Sequence, residues 1–225
     1  MSLYPTWTRA MVSHLSKIAP SLEPSWSESL GRHLVAKTPV KTGEIVVRER
    51  VPVFANPSGV GLPEIIGSKD IIKAHFPFFS NLHYHVNEAK RGFFKGLDPD
   101  DYQTMERIET NGFDTGFGTK TFGLSLFVAM ASHQCEPSTS YGLGNWEGYN
   151  ELRALALSDL KQGDKVTIRY GRCQTMPGDY GFKPRCKGAC EANLGLDRLP
   201  PIHRRFILDL QDHPPTGEMI LVKAK

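Results

Sequence analysis

The chain has 225 residues and a mass of 25.1 kDa, room for one sizeable hydrophobic core with appendages rather than two full domains. Lys and Arg number 27 against 24 Asp and Glu, for a net charge of +3 and a pI near 8.6, well short of the dense basic face of a nucleic-acid binder, so no direct nucleic-acid contact is expected. No run approaches the roughly 18 apolar residues of a membrane span, and the first twenty residues lack the apolar block and cleavage site of a signal peptide; a cytoplasmic or nuclear protein without membrane contact, monomeric by default, is expected.

Residues 8 to 19 carry Met11, Val12, Leu15 and Ile18 at helical spacing before Pro20 and Pro24 stop the pattern, which predicts a short docking helix. From Leu30 the text is strand-like: GRHLVAKTPV, a turn at Lys41 to Gly43, then EIVVRERVPVF, together predicting a hairpin. Residues 56 to 82 open Pro/Gly-rich and contain the aromatic cluster HFPFF. Residues 85 to 109 place Leu97, Tyr102, Met105 and Ile108 in a polar background that predicts one or two helices. This stretch is expected to be an insert between two halves of a β core.

The run TFGLSLFVAMA, residues 121 to 131, has the length of a helix or a buried strand, and periodicity alone leaves both open. SHQCEP ends it. GLGNWEGYN supplies a hairpin turn, and ELRALALSDL and KVTIRYG are strand candidates around the turn KQGD. Beyond Gly171 comes a Gly/Pro/Cys-rich stretch, then a predicted helix near His203 to Leu210. No internal repeat is evident. The 21 Gly and 16 Pro suit many short strands and turns.

Four cysteines, Cys135, Cys173, Cys186 and Cys190, all lie in the second half; without a secretory signal they read as thiols or metal ligands before disulfides. Cys186 and Cys190 form a Cys-x₃-Cys step, a spacing zinc sites use, while buried thiols in a reducing compartment account for the same residues. HFPFF with Trp146 fits either a small core or a substrate channel. The His75, His83, His85 group lacks a Cys or carboxylate at ligand spacing, which weakens it as a metal site. KRGFFK and HRRF read as solvated surface.

SHQCEP at Ser132 to Pro137, with ALALSDLKQGDKVTIRYG some twenty residues later, resembles the paired signature of SET-domain lysine methyltransferases, NHSCxPN followed by a strand, a turn and a terminal Tyr-Gly. His133, Cys135, Pro137, Tyr170 and Gly171 match; Ser132, Gln134 and Ser138 replace the family's Asn, Ser and second Asn. LGRHLVAKTPVKTGEIVVRERVPVF is similar to the family's opening hairpin, with Gly31 kept and His33 at the second Gly of its Gly-x-Gly. ETNGFDTG resembles its TNaF segment through Asn111 and Phe113. YGFKPRCKGAC is similar to its zinc-binding tail through Tyr180, Phe182, Cys186 and Cys190, with Pro184 at the first tail cysteine.

The resemblance implies a mainly β fold with short helices: a SET-type β-clip of several small sheets with a knot-like C-terminal core and a helical insert. Residues 1–28 would be an N-terminal helical arm, 29–171 the core with its insert at about 56–109, and 172–225 a post-SET-like cysteine segment and tail. It further implies S-adenosylmethionine held by Gly31, Arg32, His33, Ser132, His133 and Tyr170, with Tyr170 catalytic. Zn²⁺ would be held by Cys135, Cys173, Cys186 and Cys190. The partner would be a protein substrate carrying a lysine, with histones among the candidates. Ser132 has a shorter stem than Asn and cannot span the same donor and acceptor pair. That change, together with His33, keeps two alternatives open: a SET-like fold that binds or converts a different small molecule, and a non-catalytic protein-interaction module.

Overall fold

The computed structural model describes residues 7–28, 30–55, 69–84, 98–115, 121–170, 201–215 and 219–221. In chain order the elements are α1 (Arg9–Ile18), β1 (Leu22–Ser27), β2 (Gly31–Ala36), β3 (Ile45–Arg50), β4 (Val53–Ala55), α2 (Lys69–His75) and a 3-10 turn at Phe79–Asn81. They continue with α3 (Pro99–Asn111), β5 (Gly112–Asp114), β6 (Thr121–Leu124), α4 (Leu126–Met130), β7 (Ser132–His133), β8 (Thr139–Trp146), β9 (Tyr149–Ala156), β10 (Lys165–Ile168), α5 (Pro201–Asp212) and β11 (Met219–Leu221).

The first helix forms where the spacing predicts it. Thr8 caps it by accepting the Met11 N–H at 3.2 Å, and Met11 and Leu15, four residues apart on one face, are fully buried. The strand that follows was not expected. β1 runs antiparallel to β2 in a register from Leu22 opposite Ala36 to Ser27 opposite Gly31, and it tolerates Pro24 because it is the outermost strand of its sheet, where a missing N–H costs no ladder bond.

The hairpin expected from residues 31–54 does not form. β2 pairs with β1 and β10, in a sheet ordered β1-β2-β10-β7, whereas β3 belongs to a second sheet ordered β3-β9-β8. A third sheet has the order β11-β4-β6-β5. The segments that join the first two sheets explain the change of partner. Residues 36–44, AKTPVKTGE, and 156–164, ALSDLKQGD, share Ala, Lys and Gly at matching places and lie across from each other. Val40 and Leu160 exchange both main-chain bonds at 2.9 Å; Gly43 N–H donates to Ala156 O at 2.9 Å and Gly163 N–H to Ala36 O at 2.8 Å. Each glycine sits at a positive φ, 90° and 85°, as the third residue of a type II-like turn requires. Two similar nine-residue turns thus clip the sheets together reciprocally, and only three identities within nine residues mark them in the text.

The predicted turn in GLGNWEGYN is a two-residue hairpin between β8 and β9, with Glu147 and Gly148 both at positive φ, 54° and 83°. The run 121–131, ambiguous by periodicity, divides into β6 and α4 at Ser125, whose hydroxyl accepts the Val128 N–H. Phe76, Phe78 and Phe79 of HFPFF are buried in the main core, as a core-closing cluster should be. Trp146 lies elsewhere, with its ring stacked on His213. Among the described residues no helix is long and apolar enough to cross a membrane.

Candidate active site

Three chain segments remote in sequence meet because β10 lies between β2 and β7. Val166 opposes Leu34 antiparallel, while Thr167 and Ile168 run beside Ser132 and His133 in parallel. The first residues of β2, the end of β7 and the residues leaving β10 therefore lie at one end of the sheet. This gathers Gly31, Arg32, His33, Ser132, His133 and Tyr170, the residues the sequence singled out. The topology juxtaposes them without any one element carrying the site.

Gly31 has φ 64°, a left-handed conformation that side chains with a Cβ disfavour. His33 turns inward: it is 4% exposed, with Nδ1 3.0 Å from the Gly31 carbonyl. Arg32 is tied to the surrounding elements, donating to the Asn81 carbonyl at 2.8 Å, reaching the Met11 sulfur at 3.8 Å and lying over the Trp7 ring. Burial lowers its guanidinium to about 10, which leaves it charged at neutral pH. Its role in this structure is to fasten the start of β2 to α1 and the 3-10 turn.

His133 accepts the Tyr170 N–H at Nδ1, 3.1 Å away. In the neutral ring the proton therefore resides on Nε2, 3.4 Å from the Cys135 sulfur. Burial, and then the nearby Arg169 charge, hold its pKa below the ordinary histidine value. Arg169 also donates to the Cys135 carbonyl at 3.0 Å. Gln134 N–H donates to Ile168 O, so by strand alternation the His133 main-chain N–H and C=O are directed away from β10, toward the outer edge of the sheet. Ser138, at the family's second Asn, exchanges bonds with Thr167: its N–H donates to Thr167 Oγ1 and its hydroxyl accepts the Thr167 N–H, both at 2.9 Å.

Tyr170 donates its hydroxyl proton to the Ala131 carbonyl at 2.5 Å, and its ring lies against that of His133. Ala131 ends α4, so the position of the tyrosine depends on that short helix. Its first turn is held by Glu49 of β3, a residue the sequence reading passed over. The Glu49 carboxylate, 1% exposed, accepts Ser125 Oγ–H at 2.6 Å, Leu126 N–H at 2.8 Å and Phe127 N–H at 3.2 Å. The available signal was parity: in IVVRER, Glu49 shares a face with Val47, so the alternation sends a carboxylate inward.

Asn111 acts locally, donating to the His83 and Arg107 carbonyls at 2.7 and 2.8 Å. Gly171, Tyr180, Phe182, Cys173, Cys186 and Cys190, together with His85 and KRGFFK, lie outside the described residues. Cys135 is buried. Among the described residues, no group of three or more His, Cys, Asp or Glu side chains is gathered as a metal site requires, so the zinc expectation gains no support.

Small twisted sheets joined by a clip, with a tyrosine leaving the central strand beside an SHQC segment, define a SET-type fold. The SET-domain family model matches residues 31–171, and the chain belongs to the SET-domain family. In solved structures, the SET domain of LSMT bound to lysine and AdoHcy is 13% identical over 79% of this chain and 58% of that one, with TM-score 0.55. The same domain bound to methyllysine and AdoHcy is 14% identical over 80% and 57%, with TM-score 0.56. The chain thus spans a little over half the length of those relatives, and at these identities the likeness concerns the fold. No curated protein matches the sequence.

Proposed function

We propose that the protein transfers a methyl group from S-adenosylmethionine to a lysine side chain of a protein. The observation that carries this reading is the convergence of Gly31–His33, Ser132–His133 and Tyr170 at one end of the β2-β10-β7 sheet, with Tyr170 fixed on the Ala131 carbonyl. The LSMT SET domain has been solved with AdoHcy together with lysine or methyllysine, which supports a cofactor and a lysine side chain as ligands here.

The residues present fit such a cofactor. The Gly31 backbone turns where a Cβ is disfavoured, the His33 ring is folded inward rather than across that turn, and the His133 main chain is directed outward along the sheet edge. These groups would hold the adenosyl and amino-acid portions. When bound, the cofactor supplies a methyl carried on a sulfonium. The protein must present a neutral amine in line with the bond to be broken, and desolvation favours losing the ammonium proton. The Tyr170 proton is committed to Ala131, so toward substrate its oxygen acts as an acceptor that orients the amine. The neutral His133 fixes the Tyr170 backbone through Nδ1.

Calorimetric titration with S-adenosylmethionine and its demethylated product tests the first half of this reading, with micromolar binding expected. Tyr170→Phe tests the second: methyl transfer to a lysine-bearing protein should fall about a hundred-fold or more while cofactor binding persists. A second reading, a SET fold serving another small molecule, is favoured by Ser132, whose hydroxyl cannot replace the two-sided Asn amide. Failure to bind at millimolar cofactor would select it.

A further inference from the structure

We propose that the outward face of β3, with Tyr149 at the start of β9, is a docking surface for an acidic, extended segment of a partner protein; the β8 part of the same face is covered by α5, with Leu210 over Gly142 and the His213 carbonyl over Gly144. Arg48 and Arg50 alternate outward along β3, the outer strand of its sheet. Register places Arg48 beside Arg153 and Arg50 beside Glu151, and on the far side Tyr149 opposite Trp146. Among the described residues of β3 and β9, three guanidinium groups and one carboxylate thus stand on this face, and two of the three reach that carboxylate. Arg153 takes most of it: its Nε is 2.7 Å from Glu151 Oε1 and its guanidinium lies 3.7 Å above the Trp146 ring centroid. Arg48 is 3.6 Å from the same oxygen, with its side chain 56% exposed. Arg50 is exposed and its guanidinium carbon lies over Tyr149, 3.6 Å from the ring centroid, while Tyr149 is itself 50% exposed.

The arrangement suits carboxylates. Stacking on tyrosine fixes the Arg50 plane before binding, which lowers the entropy lost when its N–H edge engages a carboxylate. Successive outward residues of one strand are about 7 Å apart, the spacing at which an extended peptide presents alternate side chains. Single-stranded nucleic acid fits less well, because it needs open aromatic faces: guanidinium groups cover Tyr149 and Trp146, and His213 takes the other face of Trp146. The Arg50 and Tyr149 end of the surface lies far along the strands from Thr139. β8 begins at Thr139, whose hydroxyl donates to Thr167 O of β10, and its seven further residues carry Trp146 about 23 Å away.

Fluorescence anisotropy with a labelled decaglutamate peptide tests the proposal directly and independently of any catalytic activity. Saturable binding is expected at about 50 mM salt and should weaken strongly by about 200 mM. R48E/R50E should lose at least about ten-fold in affinity with unchanged thermal melting, and R48K/R50K should fall between, because lysine keeps the charge but not the planar fork. Y149A should weaken binding several-fold by releasing Arg50. Absence of saturable binding, equal binding by the charge-reversed variant, or tighter binding of a duplex oligonucleotide through the same arginines would each overturn the assignment.

Discussion

Replacing Glu49 by alanine tests whether one buried carboxylate sets the helix on which the candidate catalytic tyrosine depends. The substitution strands three donors in the core: the Ser125 hydroxyl and the Leu126 and Phe127 N–H groups. A stranded buried donor costs about 1–3 kcal/mol. Water entering the vacated space would recover part of that, so E49A should lose about 4 kcal/mol. Glutamine is nearly isosteric and retains one acceptor, but turns an NH₂ toward donors; E49Q should lose about 2 kcal/mol. With a urea slope of about 2 kcal/mol/M, the midpoint should fall by about 2 M for E49A and about 1 M for E49Q. Because α4 ends at Ala131, which accepts the Tyr170 hydroxyl, both variants should also weaken methyl transfer under conditions where they remain folded. An E49A midpoint within about 0.3 M of the parent, or E49Q less stable than E49A, would refute the reasoning.

Two further outcomes follow from the geometry. His133 has a depressed folded pKa, so its contribution to stability is fully present above the unfolded value of about 6.5 and is lost as pH falls through the lower folded value. Protonation also removes the Nδ1 acceptor of the Tyr170 N–H; methyl transfer should therefore decline as pH falls through the depressed folded value, and a His133→Asn variant should lose that limb of the profile. The paired clip turns offer an internal control. Gly163→Ala places a Cβ at φ 85° in open space, whereas Gly43→Ala places one at φ 90° and 3.0 Å from the Ile202 Cδ1 atom. Thermal melting should show a loss of about 1–2 kcal/mol for the first and more for the second; equal stability of G163A and parent would contradict the assigned strain.

Much of this protein was written locally. The α1 stripe, the Glu147-Gly148 hairpin turn, the helix near His203 and the SHQC and Tyr170 segments depend on spacings within a dozen residues, and the sequence alone was enough to place the chain among SET-type folds. Strand partners were not local. The residues of β2 and β3 satisfy the pattern of a hairpin equally well, and the reciprocal clip with residues 156–164, more than a hundred residues away, directs them into separate sheets.

The same distance decided the candidate site. Periodicity could not divide residues 121–131 because the carboxylate that caps α4 comes from Glu49, 76 residues before Ser125. His33 stands where the family keeps its second glycine, and only the fold shows that its ring turns inward. Short-range spacing and turn chemistry determined which segments form and which carry the family's residues. Long-range hydrogen bonding determined how those residues meet, because a buried donor or carboxylate must find its partner wherever in the chain that partner lies.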